Sequence, residues 1–392
     1  HLERARVEDA PVHRHVVHAD RVVGERGVEV VAPNCLSCHG ARINGKVIPG
    51  LGNASLDLTD DPSLTAKLVG GLITDPTERL ELDKFVERMG TVAPYATLSI
   101  IGPNTADNIA GVLFAHRDRK TLAWSKEPLL ELPGDLVAPV DVPPWWRMKK
   151  KNAMFYNGGG RGDHARIMMT ASTLCVDSVA EAEAIDAYFP DVRAYIYSLD
   201  APPYPYTIDA PLAERGRATF EKSCARCHGT YGAGGSYPNL VIGVEEVGTD
   251  SLIVSGTAQF AGPFVKWFNE SFYGQKGRLA PAPGYVAPPL DGIWATAPYL
   301  HNASVPTLAA LLDSLKRPRY FTRSFKNNDF DETEVGWRYT AVDHGQAEEP
   351  SDTKARTIYD TRLPGYGNGG HTYGDALASD ERKALLEYLK TL

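Results

Sequence analysis

Cysteine and methionine are scarce in this chain, long apolar runs are missing, and positive charge is in deficit. Five cysteines in 392 residues are too few for a disulfide-stapled scaffold. No stretch approaches the roughly 18 consecutive apolar residues that a bilayer-spanning helix needs; the greasiest segments, such as Leu98 to Ile101, are short. With 49 acidic residues against 41 basic ones the net charge is −8, which opposes binding to nucleic-acid phosphates. The methionines are Met89, Met148, Met154, Met168 and Met169, so the second half of the chain has no thioether to offer a metal. The length accommodates two or three domains, each with its own core.

What the chain does have is one pentapeptide pattern twice: Cys35-Leu36-Ser37-Cys38-His39 and Cys224-Ala225-Arg226-Cys227-His228. C-x-x-C-H is the attachment pattern of c-type haem, in which two thiols bind the macrocycle edge and the adjacent imidazole coordinates iron. The pattern predicts two covalently bound haems, with His39 and His228 as proximal ligands. A four-cysteine zinc site or disulfides are the rival readings, but neither explains why a histidine and then a glycine, Gly40 and Gly229, follow each pair. Cys175 is left over and reads as a small buried residue. Covalent haem attachment takes place outside the bacterial cytoplasm. Together with a start at His1, which fits removal of a signal peptide, it predicts a periplasmic or extracellular protein.

Aligning the two motifs exposes a longer repeat. Glu25-Arg26-Gly27 precedes Cys35 by the interval at which Glu214-Arg215-Gly216 precedes Cys224. The residues before each first cysteine read as a short amphipathic helix, carrying Val28, Val31 and Ala32 in one copy and Ala218 and Phe220 in the other. Each copy closes on a helical pattern, Val179 to Leu199 and Ser379 to Leu392, in which Tyr and Leu recur four apart. The expected fold is mainly α, with two tandem cytochrome c-like domains at 1–203 and 204–392, joined by the stiff proline-rich stretch Ala201 to Thr207. Long insertions rich in Gly and Pro should form loops, short helices and short strands around the haems. Trp145-Trp146 reads as core packing rather than an electron conduit.

The ligand opposite each proximal histidine decides function, because a saturated iron transfers electrons whereas an open one binds peroxide or dioxygen. For the second haem, methionine is eliminated by composition, leaving His301, His344 and His371. His371 follows Gly367-Asn368-Gly369-Gly370, eight residues before the closing helix begins at Ser379, and is the favoured ligand; His344, in an acidic stretch, reads as solvated. For the first haem three readings stay open: Met168 or Met169 ligates iron, His164 in its flexible Gly160–His164 loop ligates or covers it, or the position is vacant. Arg161 and Arg166 are candidates to stabilise the oxygen of a bound oxidant by charge-assisted hydrogen bonds. His116 reads as a satisfied core or surface residue, His13, His15 and His18 as a solvated arm, and Lys149-Lys150-Lys151 as a solvated face that could meet an acidic partner.

The tandem haem motifs and the block from Leu290 to Leu308, with Ala297-Pro298-Tyr299-Leu300-His301-Asn302 at its centre, resemble the bacterial dihaem cytochrome c peroxidase superfamily. That superfamily includes the methylamine dehydrogenase maturation enzyme and the rubber oxygenases, and the likeness is closest to the rubber-oxygenase branch. It covers most of residues 140–392 and only the motif region before that. The resemblance implies that His301 supports the second haem without ligating it, that His371 is the ligand, and that the first haem meets dioxygen. It departs from the peroxidases in two places: no methionine follows His301, and no histidine occurs between His39 and His116.

The resulting expectation is a dihaem oxidoreductase in which haem 1 reacts with peroxide or dioxygen and haem 2 relays electrons. Its partner would be a small periplasmic cytochrome or cupredoxin, with peroxide, dioxygen or a small molecule as substrate. Pure electron transfer between two six-coordinate irons is the alternative. A calcium ion between the domains is left open.

Overall fold

The structure is a computed structural model that describes residues 19–23, 27–134, 137–326 and 329–392. The cluster His13, His15 and His18 lies outside the described residues. Among the described residues helix accounts for 42% and strand for 13%, so the expected mainly α fold is corrected to a mixed α/β one. The strands form six small antiparallel sheets of two or three strands among the described residues. The reason lies in the insertions. Segments rich in Gly and Pro do not sustain long helices, yet their buried backbone groups need partners, and short ladders supply them.

The repeat around the haem motifs is also less regular than its spacing suggests. In the second half, Ala210–Ser223 is a helix that leads directly into the motif; Asp209 caps it by accepting from Leu212 N at 3.0 Å, with Pro211 in the first turn. In the first half, the helix expected before Cys35 is instead a hairpin of Ala19–Val23 with Glu29–Pro33. The segment is dense in valine, whose branched side chain favours the strand. Gly27, with φ +74°, takes a left-handed conformation at the turn, whereas its repeat partner Gly216 sits inside a helix.

The closing segments differ as well. Ser379–Leu389 is one helix, started by the Glu381 carboxylate accepting from Ala378 N at 2.8 Å, and it crosses the Ala210–Ser223 helix. Phe220 and Tyr388 meet at 5.2 Å between ring centroids in this crossing, in a core shared with Leu385 and Leu389. Burying each such side chain contributes about 1.5–3 kcal/mol. The first-half pattern divides into two helices, Val179–Asp186 and Phe189–Ser198, broken where Pro190 enters the first turn of the second. Phe189–Ser198 packs on the 3-10 turn Trp145–Lys150.

The two halves share both a sheet and cores. Strand Gly160–Gly162 pairs with Ala153–Met154 on one side and with Gly277–Leu279 on the other. One core joins Ala41, Ile43, Ile48 and Leu51 to Phe220, Trp294 and Tyr388. Another joins Phe114 and Met169 to Trp267, Phe268 and Tyr273. The proline-rich stretch between the halves is packed too, with Tyr204 set edge-on against Trp294 at 5.4 Å and Trp294 Nε1 donating to Pro202 O at 2.8 Å. Cys175, expected to be buried, is exposed, because it ends the Met169–Leu174 turn at the surface.

The tightest point of the helix crossing is Gly216, where an added Cβ would lie 1.9 Å from the Ala384 carbonyl oxygen. Gly216→Ala should therefore cost roughly 1–3 kcal/mol, read as a lower urea midpoint. Gly256→Ala, in the Leu252–Asn269 helix with no atom within 4 Å of the new Cβ, should gain about 0.5–1 kcal/mol. Equal responses of the two variants would show that the crossing does not depend on close backbone approach.

Candidate functional site

Each C-x-x-C-H pentapeptide is wound into one helical turn. In the second, His228 N donates to Cys224 O at 3.0 Å, which brings Cys224, Cys227 and the imidazole to one side of the backbone. In the first, His39 N donates to Cys35 O at 3.0 Å in the same way. None of the four cysteines is in a disulfide. Burial pushes the thiols of Cys38 and Cys224 up, Cys224 to about 11.

Behind His228 stands a backbone carbonyl. Its Nδ1 lies 2.8 Å from Pro288 O, and because a carbonyl only accepts, Nδ1 carries the proton and Nε2 keeps its lone pair. This is the arrangement by which proteins orient a metal-binding imidazole. Pro288 is itself held in place, since Tyr231 OH accepts from Leu290 N at 2.5 Å and Tyr237 OH donates to Ala287 O at 2.7 Å. Burial lowers the pKa of His228, keeping the ring neutral.

In front of His228 stands His371, with ring centroids 6.1 Å apart. Burial, followed by the neighbouring His228, lowers His371 to about 4, and its Nδ1 is buried without a hydrogen-bond partner. A ring nitrogen lies roughly 1 Å from its centroid and metal–nitrogen bonds run about 2 Å, so one shared metal ion asks for about 6 Å. Two neutral imidazoles, two free thiols and an orienting carbonyl fit a haem iron between them. The His371 backbone N donates to Val247 O at 2.7 Å. Asn302, next to His301 in sequence, donates to both Gly365 O and Gly367 O at 2.9 Å and so ties down the same loop.

His301 occupies a different position. It is buried, stacked on Tyr285 at 4.2 Å with Tyr156 edge-on at 6.2 Å, and burial lowers it to about 3. His344 is half-buried and bonded to Asp343 at 2.9 Å, which raises its pKa.

Around His39 the second element is aromatic. The imidazole stacks on Trp145 at 4.8 Å, and among the described residues no other ring lies against it. Its Nδ1 is buried without a well-formed hydrogen bond, although the Pro143 carbonyl is close enough to oppose part of the burial effect that lowers His39 to about 4. Pro143 thus occupies the place that Pro288 takes in the other half. Trp146, adjacent to Trp145, is buried and donates from Nε1 to Asp291 O at 2.8 Å.

The other predicted residues are dispersed. His164 is buried, 2.8 Å from the Tyr197 hydroxyl through Nδ1, and burial followed by Lys151 lowers its pKa. Arg166 is committed to Phe272 O at 2.6 Å and Asp186 at 2.7 Å. Arg161 is exposed on the Gly160–Gly162 strand. Met169 is fully buried among Phe114, Ile167 and Trp267, while Met168 is half-buried. His116 is buried, bonded to Ser125 O at 2.9 Å. Lys149 and Lys150 are engaged by Asp200 and Asp291, whereas burial lowers Lys151 to about 8. Among the described residues no group of three or more His, Cys, Asp or Glu side chains is placed to hold a metal ion.

Two features escaped the sequence reading. Pro143-Pro144 and Pro288-Pro289 repeat the same dipeptide behind both proximal histidines, and that recurrence was there to be found. Asp141 had no sequence signal; only the fold brings it beside the Tyr156 hydroxyl, which donates to it at 3.2 Å.

Residues 211–255, which enclose the second pentapeptide, match the family described as cytochrome c oxidase, cbb3-type, subunit III. Residues 284–322, which enclose Pro288 and His301, match the family described as RoxA-like, cytochrome c-like. The uncharacterized protein y4iM of Sinorhizobium fredii is 30% identical over 329 residues, covering 72% of this chain and 71% of that protein. The chain belongs to the y4iM family. A second protein of that organism, uncharacterized y4iJ, is 29% identical over 289 residues, 57% of this chain and 46% of y4iJ, so the chain matches about half of its length. The cytochrome c matches make haem the cofactor of this y4iM-family chain and haem-based electron transfer or oxidoreduction its chemistry. No helix among the described residues is long and apolar enough to cross a membrane.

Burial holds the Asp141 carboxyl up at about 7, against the ordinary 3.8. Between those values the folded chain keeps a proton that the unfolded chain releases, so stability falls as pH rises through that window and levels off above it. Asp141→Asn, which still offers Tyr156 an acceptor, should flatten the denaturation midpoint between about pH 4 and 7. It should also be the more stable protein at the upper end. A variant profile parallel to the parent's would show that Asp141 ionises normally.

Proposed function

We propose that the chain is a periplasmic dihaem oxidoreductase carrying two covalent c-type haems, one on Cys35, Cys38 and His39 and one on Cys224, Cys227 and His228. The division into domains at 1–203 and 204–392 follows the same reading, one haem to each. The observation that carries the functional assignment is an asymmetry. His228 faces a second imidazole, His371, across 6.1 Å, while the ring against His39 is Trp145. Haem supplies a reversible one-electron couple and, where an axial position is free, a place for an oxidant.

In this reading His371 would saturate the second iron and limit it to electron transfer. The Pro288 carbonyl keeps the His228 proton on Nδ1, which leaves Nε2 with the lone pair that would bind the metal and would raise its donor strength. The first haem is the site for peroxide or dioxygen. His164 is the proton-handling candidate there, because its partner Tyr197 lies on the Phe189–Ser198 helix, which packs on the turn that carries Trp145. Arg161 and Arg166 stay weaker candidates, Arg166 because Asp186 and Phe272 already hold its guanidinium. The reading groups the chain with the dihaem peroxidase superfamily and its rubber-oxygenase branch, and it expects a small cytochrome or cupredoxin as redox partner. The rival is that a thioether of Met168 or Met169 ligates the first iron and both haems only transfer electrons, although Met169 packs among Phe114, Ile167 and Trp267.

Ferric absorption and resonance Raman spectra decide between them. The proposal expects one low-spin and one high-spin haem, carbon monoxide binding to the reduced protein, and turnover with peroxide or dioxygen. Two low-spin haems that ignore carbon monoxide would replace it with pure electron transfer. His371→Ala should convert the low-spin haem to high-spin, and an unchanged spectrum would assign that iron to another ligand.

A further inference from the structure

We propose that Arg317 is the positioning residue that aims His371 at His228, an assignment that rests on His371 being the axial ligand of the second haem. Arg317 stands in Lys316-Arg317-Pro318-Arg319, a run that reads from sequence as charged surface. Its guanidinium is instead half-buried and donates to five backbone carbonyls in two groups. Nε reaches Ala310 O at 3.2 Å and Nη2 reaches Leu311 O at 3.0 Å, both on the Leu308–Leu312 helix. Nη1 reaches Asn368 O at 2.8 Å and Gly370 O at 2.7 Å, and Nη2 reaches His371 O at 3.1 Å. Among the described residues no carboxylate forms an ion pair with it, so its directed hydrogen bonds all go to main chain.

One end of this clamp is fixed. Leu308 and Ala310 are each 1% exposed, and Thr307 caps the helix by accepting from Ala310 N at 3.2 Å. The other end is under conformational demand. His371 has φ +46°, in the left-handed region that non-glycine residues seldom adopt and hold only when their surroundings over-determine it. Gly370 also takes positive φ and approaches Gly248 so closely that a Cβ would lie 2.1 Å from its carbonyl carbon. Three converging hydrogen bonds from one planar fork hold the carbonyls of Asn368, Gly370 and His371 in that shape, and the imidazole projects accordingly. Lysine cannot reproduce the arrangement, since an ammonium is a point charge with no fixed fork.

The test uses the holoprotein with Arg317→Lys, Arg317→Gln and, as reference, His371→Ala. The readouts are ferric spin state, the slow phase of cyanide binding, which waits for His371 to leave the iron, and the thermal midpoint. Arg317→Lys should speed the slow phase by about tenfold, as losing one charge-assisted hydrogen bond predicts, while far-UV circular dichroism stays that of the parent. Arg317→Gln should be faster still and show part of the high-spin signal of His371→Ala. Should the glutamine variant fail to fold, the lysine variant carries the test. Parent-like cyanide kinetics in folded Arg317→Lys, alongside a high-spin His371→Ala, would overturn the role of Arg317 and leave the ligand assignment standing. A His371→Ala protein that stays low-spin would overturn the ligand assignment itself.

Discussion

A backbone carbonyl accepting one imidazole proton organises the second half of this molecule. Pro288 O fixes the protonated nitrogen of His228 and thereby the direction of its lone pair. Much of the surrounding structure serves to keep that carbonyl in place: Tyr231 and Tyr237 hold residues 287–290, and the following Asp291 carbonyl accepts from both Trp146 Nε1 and Arg147 Nε, at 2.8 and 2.9 Å. Through those last two bonds the segment that backs His39 is tied to the segment that backs His228.

The electrostatics point the same way. His39, His301 and His371 all lie well below the ordinary histidine range, and in each the largest cause is burial. A buried imidazole is kept neutral because charging it would forfeit hydration that nothing nearby replaces. Neutral rings with directed lone pairs suit metal coordination and exclude a role as cationic surface groups. Arg147 and Arg323 likewise have pKa values lowered by burial, Arg323 to about 9, and burial holds the nearby Asp141 carboxyl up, so the region disfavours net charge of either sign.

Legibility varied with the range of the interaction. The pentapeptides were readable because their chemistry is contained in five consecutive residues, whereas composition removed only methionine from the second site and left His301, His344 and His371 as candidates, among which a glycine run pointed to His371. The mainly α expectation failed for a local reason and a global one. Valines at 22, 23, 30 and 31 satisfy a helical stripe and a strand equally, and in this hairpin the strand prevailed. Elsewhere, one small sheet pairs segments more than a hundred residues apart, Gly160–Gly162 with Gly277–Leu279, and no local pattern announces such partners.

The sequence by itself determined the haem chemistry, the presence of two C-x-x-C-H motifs, and the lack of any methionine after Met169, because these follow from which side chains exist and how closely they are spaced. Tertiary structure alone decided that His371 rather than His301 stands across from His228, that Pro288 orients the proximal ring, and that Arg317 meets the loop before the closing helix. Each of these is a contact between groups dozens of residues apart, made possible by chain crossings such as Gly216 on Ala384. A carbonyl is chemically the same at every residue, so only its place in the fold can make it functional.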